Sequence, residues 1–396
     1  MKYISYTFSK NNISFYIFNF SIFEYKKISS YTLQNTVKST KTKLKFFNIP
    51  IYNGNHITLY PNTLLDTLLD TLYKNFIFKQ WNQSFPMQKN IGNTINNDPD
   101  IDKKIFNLCK NLDMPSKQCV CKIINRLKNI DKNPNYQINY SDEEKNELNK
   151  ITNSFFTNIF KVKNNIWCYN GYFLPIKQFE ISVFWHKHGM HVFNKKTLNK
   201  IKHLDIIDVG GFIGDSAIIF EQEFTEKFVY TFEASEKNYN LMLKTLKLNQ
   251  SQRIKPIKKA LGSKNETLSL NISGYSSSFK YNDHSTENEQ VEIVSLDSYI
   301  QNNDVNIGLI KVDIEGFEQE FLKGALHTIK KHKPAMIISI YHNYEDFFEI
   351  KNLIDSWNLG YSFKIYKPID FYISLETCLY CEIIEDQGFS HDNPHQ

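Results

Sequence analysis

Three kinds of residue at fixed spacing stand out in the middle of the chain. Asp208 closes the apolar run LDIIDV, Gly210, Gly211 and Gly214 follow in DVGGFIGDSA, and Glu233 closes a second apolar run, FVYTFE. Such a series reads as strand, tight turn, helix and strand, with backbone left bare where a phosphate or nucleoside comes close. At the end of the second strand, the Glu233 carboxylate suits both hydroxyls of a ribose. Three cofactors compete for such a site. A nucleotide triphosphate needs G-x-x-x-x-G-K-[S/T], and no lysine stands in the required place. A dinucleotide wants G-x-G-x-x-G, but Phe212 stands where the second glycine should be, and its Cβ obstructs a pyrophosphate. Asp208 also repels a pyrophosphate, whereas it suits the cationic amino-acid end of S-adenosylmethionine. The spacing therefore favours S-adenosylmethionine, with Asp208, Gly210, Gly211, Gly214 and Glu233 as its binding residues. Tight-turn geometry for the glycines and a helix cap for Asp208 are the structural alternatives.

These residues need a sheet to hold them. From residue 166 apolar runs alternate with amphipathic ones, and LDIIDV, FVYTFE, RIKPIKKA, IGLIKVD and AMIISIYH read as strands in that order. EKNYNLMLKTLKLN and FEQEFLKGALHTIKK are helical between them, which predicts a parallel, doubly wound sheet. YSFKIYK and ETCLYCEII follow without a long helix between them and predict an antiparallel ending. One α/β domain is expected over 166–386, with a disordered tail at 387–396.

The first 165 residues carry no chemical motif. Residues 1–82 read as β-hairpin and helix: IFNFSIFEYKK (17–27) and FFNIPIYNG (46–54) look alike, and NTLLDTLLDTLYKNF (62–76) has helical spacing. The polar stretch 83–104 reads as linker, and 105–163 as helical. There Ser141 and Glu144 form a capping box. This region suits scaffolding, partner binding or a homo-oligomer contact.

The central and C-terminal blocks resemble the FkbM-type S-adenosylmethionine-dependent methyltransferases. The resemblance covers about residues 200–384 and rests on IIDVGGFIGDSA, YTFEAS with NYNLMLKTLKLN, KKALGS, VEIVSLDSYI and LIKVDIEGFEQEFLKGA. Most specific is K-x-D-x-E-G-x-E followed by L-K-G-A, matched by Lys311, Asp313, Glu315, Gly316 and Glu318. It implies a Rossmann-like sheet of seven strands, the last antiparallel, and methyl transfer to a hydroxyl, often of a sugar or polyketide. It also sets Ala260, in KKALGS, against the cofactor. Methyl transfer is an in-line displacement, eased by alignment and by a group that takes or polarises the hydroxyl proton. Asp313, Glu315 and His342 are the candidates for that task. Lys311, Glu318, His186, His188 and Ser277 are expected around the acceptor, Ser277 within GYSSSFKYND (274–283). Glu318 could equally favour the start of a helix, and His342 could be an ordinary strand-end histidine. Asp313, Glu315, Glu318 and His342 also suit Mg²⁺ or Mn²⁺, but no metal site is assigned. His186, His188 and His191 in FWHKHGMH invite a metal reading too, though no carboxylate partner is fixed.

Composition bounds the rest. A net charge of +5 from 47 basic and 42 acidic residues is too diffuse to point to nucleic acid. Cys378 and Cys381 form a C-x-x-C without a second pair nearby, which disfavours zinc. Six cysteines without a signal-peptide pattern suggest a reducing cytoplasm, and the run ISFYIFNFSIFEY is too short to span a bilayer. The expected protein is a cytoplasmic methyltransferase acting on a sugar or glycan precursor. An NAD(P)-linked oxidoreductase and a non-catalytic binding module are the alternatives. Phe212 and Asp208 speak against the first, and the intact acidic block against the second.

Overall fold

The computed structural model describes residues 4–9, 12–17, 86–133, 136–273, 276–278, 287–301 and 303–384. The chain forms two units, Met1–Gln80 and Trp81–Gln396. In the first, strands Ile4–Ser9 and Asn12–Ile17 pair antiparallel. The likeness between 17–27 and 46–54, the helix expected over 62–76 and the tail at 387–396 lie, Ile17 apart, outside the described residues.

In the second unit the seven apolar runs become seven strands of one sheet. These are β1 Asp205–Val209, β2 Val229–Phe232, β3 Ile254–Ile257, β4 Ile307–Val312, β5 Ala335–Ser339, β6 Ser362–Tyr366 and β7 Cys378–Glu382. Their order across the sheet is β3-β2-β1-β4-β5-β7-β6. Strands β1 to β5 pair in parallel, whereas β7 runs antiparallel between β5 and β6. Every residue of β1, β4 and β5 is buried, as helices on both faces require. The chain leaves β1 towards β2 and β3, then crosses back to β4 on the other side of β1. That reversal opens a crevice beyond the carboxyl ends of β1 and β4, where open α/β sheets bind their ligands.

Between β3 and β4 lies a four-stranded sheet ordered Ser276–Ser278, Glu266–Ser273, Glu287–Val294 and Ala260–Leu261. RIKPIKKA, expected as one strand, is thus split: its first half is β3, and Ala260 begins a strand of the second sheet.

The stretch read as linker is instead helical over Pro86–Asn97. Its Asn-rich sequence hides the packing, which rests on buried Ile91 and Ile95. At Gly92 an added Cβ would stand 2.2 Å from the Leu127 carbonyl oxygen, so the helix Met114–Lys132 packs directly on its backbone. Both helices share one hydrophobic core with the sheet. The capping box is present at the start of Asp142–Lys150: Ser141 Oγ accepts from Glu144 N, and Glu144 Oε2 accepts from Ser141 N. Among the described residues no helix is long and apolar enough to cross a membrane.

Candidate active site

A cavity of about 610 Å³ opens beyond the ends of β1, β2, β4 and β5, within the size range of small-molecule sites. Gly210, Glu233, Ala260, Lys311, Asp313, Glu315, His342 and His188 all line it. Strand register explains its floor. Lys311, Asp208 and Thr231 are direct neighbours across β4, β1 and β2. Thr231 Oγ1 donates to Asp208 Oδ2 at 2.8 Å, and Lys311 Nζ lies 3.2 Å from Asp208 Oδ1. Lys311 Nζ also donates to the Gly210 carbonyl at 2.8 Å. Asp208 is fully buried and does not line the cavity. Its carboxyl is pushed up by burial and held back by Lys311. Asp208 and Lys311 are therefore a buried ion pair beneath the glycine turn, and Lys311 supports that turn from below.

The glycines answer to the protein as much as to a ligand. Gly210 has a φ of 82°, and a Cβ there would stand 1.9 Å from the Asp313 carbonyl oxygen. The β1 turn and the β4 turn thus lie backbone to backbone. A Cβ on Gly211 would meet Thr231 Oγ1 at 2.0 Å, and Gly214 faces Met242. Of the three, only Gly210 lines the cavity. Glu233 holds the turn from the other side: Oε2 accepts from Phe212 N at 2.9 Å and Oε1 from Ser235 N at 2.8 Å. Each oxygen keeps a lone pair for a ribose hydroxyl. Burial pushes the Glu233 carboxyl up to about 7.

Two acids that sequence reasoning passed over also face the cavity. Asp215 begins the helix Asp215–Ile219, and burial pushes its carboxyl up to about 7. Glu180 precedes the turn Ile181–Trp185, and burial together with Asp215 and Asp313 pushes it up to about 8. Asp215 stood inside the glycine motif, where an acid just after the last glycine was the available signal. Glu180 sits in an aperiodic lead-in and gave none.

The other side of the cavity is the turn after β4. Glu315 and Gly316 take left-handed φ values of 55° and 93°. Glu318, 0% exposed, accepts from Ile314 N at 3.0 Å and closes the turn. His342 Nδ1 lies 2.8 Å from Glu318 Oε1, and its Nε2 lies 3.4 Å from Asp313 Oδ1 and 3.7 Å from Glu315 Oε2. Burial works against a charge on His342, but Glu318, Asp313 and Glu315 outweigh it and raise the imidazole to about 10. His342 is therefore a cation near neutral pH, which suits it to fixing Asp313 rather than to taking a proton. Burial likewise opposes ionisation of Asp313, yet Lys311 and His342 hold it below the usual carboxylate range. Tyr341 Oη stands 3.1 Å from Asp313 Oδ1 and 3.3 Å from Glu376 Oε1. Asp313, Glu318 and His342 each offer a ligand atom within 4.8 Å of the others, a spacing that could hold a metal ion.

The H-x-H segment is a pair of helical turns, not a strand. Lys187, His188 and Gly189 take positive φ, and the two histidines part company. His186 turns away from the cavity, with Nε2 2.8 Å from the Ile369 carbonyl. His188 lines the cavity and stacks on Phe220, and burial pushes it down to about 3. His191 meets the edge of Tyr366. Ser277 pairs with Ile272 in the second sheet.

Residues 208–363 match the family described as the methyltransferase FkbM domain. No curated protein matches the chain. Among solved structures, a methyltransferase FkbM from Methylobacillus flagellatus KT is similar over 73% of this chain and 60% of its own, at 19% identity and a TM-score of 0.47. This chain thus spans about three fifths of that protein. An O-methyltransferase from Bacillus cereus in complex with SAH is similar over 62% of this chain and 93% of its own, at 12% identity and a TM-score of 0.35. TYW2 from M. jannaschii, in complex with AdoMet, covers 56% and 86%, at 13% identity and a TM-score of 0.27. These structural likenesses are remote, and the family match carries the assignment. Residues 208–363 of this chain are thus identified as a methyltransferase FkbM domain.

Proposed function

We propose that this protein transfers the methyl group of S-adenosylmethionine to a hydroxyl of a sugar or glycan precursor. One observation carries the reading: Asp313, an ionised carboxylate fixed by Tyr341 and His342, lines the same cavity as Glu233 and Gly210. Glu233 takes the ribose hydroxyls. Asp215 supplies the negative charge that the methionine ammonium needs, the task expected of Asp208, which Lys311 occupies instead. The acceptor hydroxyl donates to Asp313, which aligns its lone pair on the methyl group and receives the proton as the C–O bond forms. His342 holds Asp313 in place and keeps it ionised. A pyrophosphate would meet Asp215 at the start of its helix, which disfavours a dinucleotide.

Calorimetry with S-adenosylhomocysteine and with NAD tests this reading. Heat from the first and none from the second is expected, and the reverse would sink it.

A divalent cation is a second reading of one corner, favoured by the convergence of Asp313, Glu318 and His342. An ion there would replace the His342 proton. Titration with Mn²⁺ should then show binding that His342→Gln abolishes; no binding by the unaltered protein removes this reading.

A further inference from the structure

We propose that the acceptor presents a protonated amine to Glu376 and Asp313 while its hydroxyl faces the methyl group, so that the substrate class is an amino sugar with a free ammonium group. The inference rests on the methyl-transfer reading and narrows it.

The acceptor side of the cavity holds more carboxyl groups than its own cations pair with. Tyr341 Oη lies within hydrogen-bond distance of both Asp313 Oδ1 and Glu376 Oε1. A phenol has one proton to donate, so one of these carboxylates faces the other without it. Glu376 is held there by a backbone φ of 65°, a conformation that non-glycine residues seldom adopt. Glu180 faces the same space.

The cations nearby are committed. Lys311 holds Asp208 and the Gly210 carbonyl, and His342 holds Glu318. Lys367 is bonded to Asp370, and Lys259 to Glu292. No arginine lines the cavity among the described residues. An anionic acceptor, such as a uronate or a sugar diphosphate, would meet carboxylates with no cation to receive it. A neutral acceptor would leave Glu376 and Glu180 to keep their protons beside the ionised Asp313. An ammonium takes the place of those protons and leaves Tyr341 free to donate to either carboxylate. Burial and neighbouring acids push both Glu376 and Glu180 up to about 8, so these groups share protons until a cation arrives.

One further group points to a polar ligand here. The Ser182 hydroxyl, on a residue 5% exposed, lines the cavity and is taken by Glu376. His188 Nε2, buried in the same lining, lacks a hydrogen-bond partner and suits a sugar hydroxyl.

The test uses the whole protein saturated with S-adenosylhomocysteine at pH 7. It is titrated by calorimetry with glucosamine, N-acetylglucosamine and glucuronate, in two buffers of different ionisation enthalpy. Glucosamine should bind at least about tenfold more tightly than either other sugar and release protons as it does so. Glu376→Gln should remove that preference while leaving S-adenosylhomocysteine affinity unchanged, which also checks the fold. Equal or tighter binding of N-acetylglucosamine or glucuronate overturns the inference. So does the absence of binding by all three in a protein that does bind S-adenosylhomocysteine. Failure to bind S-adenosylhomocysteine would instead remove the methyl-transfer reading itself.

Discussion

The two halves of the cavity are built on different principles. On the side of the glycine turn, two acids are tied to the protein: Asp208 to Thr231 and Lys311, and Glu233 to the amides of Phe212 and Ser235. On the other side, Asp313 and Glu376 share Tyr341, and Glu180, from a third segment, lies close enough to feel the charge of Asp313 and to push the Glu376 carboxyl up. The first arrangement is complete before a ligand arrives. The second holds acids that keep their protons near neutral pH for want of a cation. On the proposed function, the first is a rigid cradle for one cofactor and the second is left for a specific acceptor to complete.

The contrast breaks most visibly at the floor of the cofactor half. Asp208→Ala removes the one carboxylate that, among the described residues, buried Lys311 contacts, and should cost about 3–5 kcal/mol of folding stability. Denaturant unfolding measures it, and Asp208→Ala with Lys311→Met should recover part of the loss. If the single variant keeps its stability and loses only S-adenosylhomocysteine affinity, Asp208 contacts the cofactor directly and the two halves are alike.

Asp313→Asn probes the other half. The amide keeps the shape but cannot take the proton, so kcat should fall about 10²–10³-fold, while S-adenosylhomocysteine affinity stays within about twofold. Equal loss of both would move Asp313 from the acceptor to the cofactor.

How much of this was legible in the sequence follows the same division. The seven strands, the antiparallel ending and the place of Gly210 and Glu233 in the cavity wall could be read because each follows a local strand pattern, and Ala260 came from the resemblance alone. The reason for Gly210 could not, since the carbonyl that approaches it belongs to Asp313, on a strand reached only through the crossover. Asp208 was recognised but misplaced, because nothing local shows that Lys311 lies beside it in register. Glu180, Tyr341 and Glu376 escaped notice for a similar reason: Glu180 lies in an aperiodic lead-in, the other two at the ends of strand-like runs, and the three meet only in the folded chain. The helix Pro86–Asn97 was obscured by its polar composition, because its packing depends on two isoleucines and a glycine.

The cofactor half should also respond to pH on its own. Glu233 and Asp215 are raised to about 7 in the free protein, well above an ordinary carboxyl, so both are largely protonated at pH 6 and ionised at pH 8. Ribose hydroxyls and the methionine ammonium both favour the ionised forms. S-adenosylhomocysteine affinity should therefore rise as pH increases through about 7, by about tenfold between pH 6 and pH 8. A flat profile measured by calorimetry would mean that neither carboxyl changes its protonation when the cofactor binds.

The smallest effect is expected at the histidine that shares the H-x-H motif but not the cavity. His186 meets the Ile369 carbonyl, and burial pushes its imidazole down, so it is a neutral structural donor. His186→Gln preserves a donor of similar reach, and kcat and acceptor KM should both stay within about twofold of the unaltered protein. His188→Gln, one residue away in the cavity lining, should change acceptor KM by more than that. Motif spacing makes the two histidines equivalent, whereas the left-handed backbone at Lys187 and His188 separates them. If His186→Gln proves the more damaging to acceptor KM, the acceptor wall extends past Ile369 and the boundary drawn between the halves and the surrounding scaffold is misplaced.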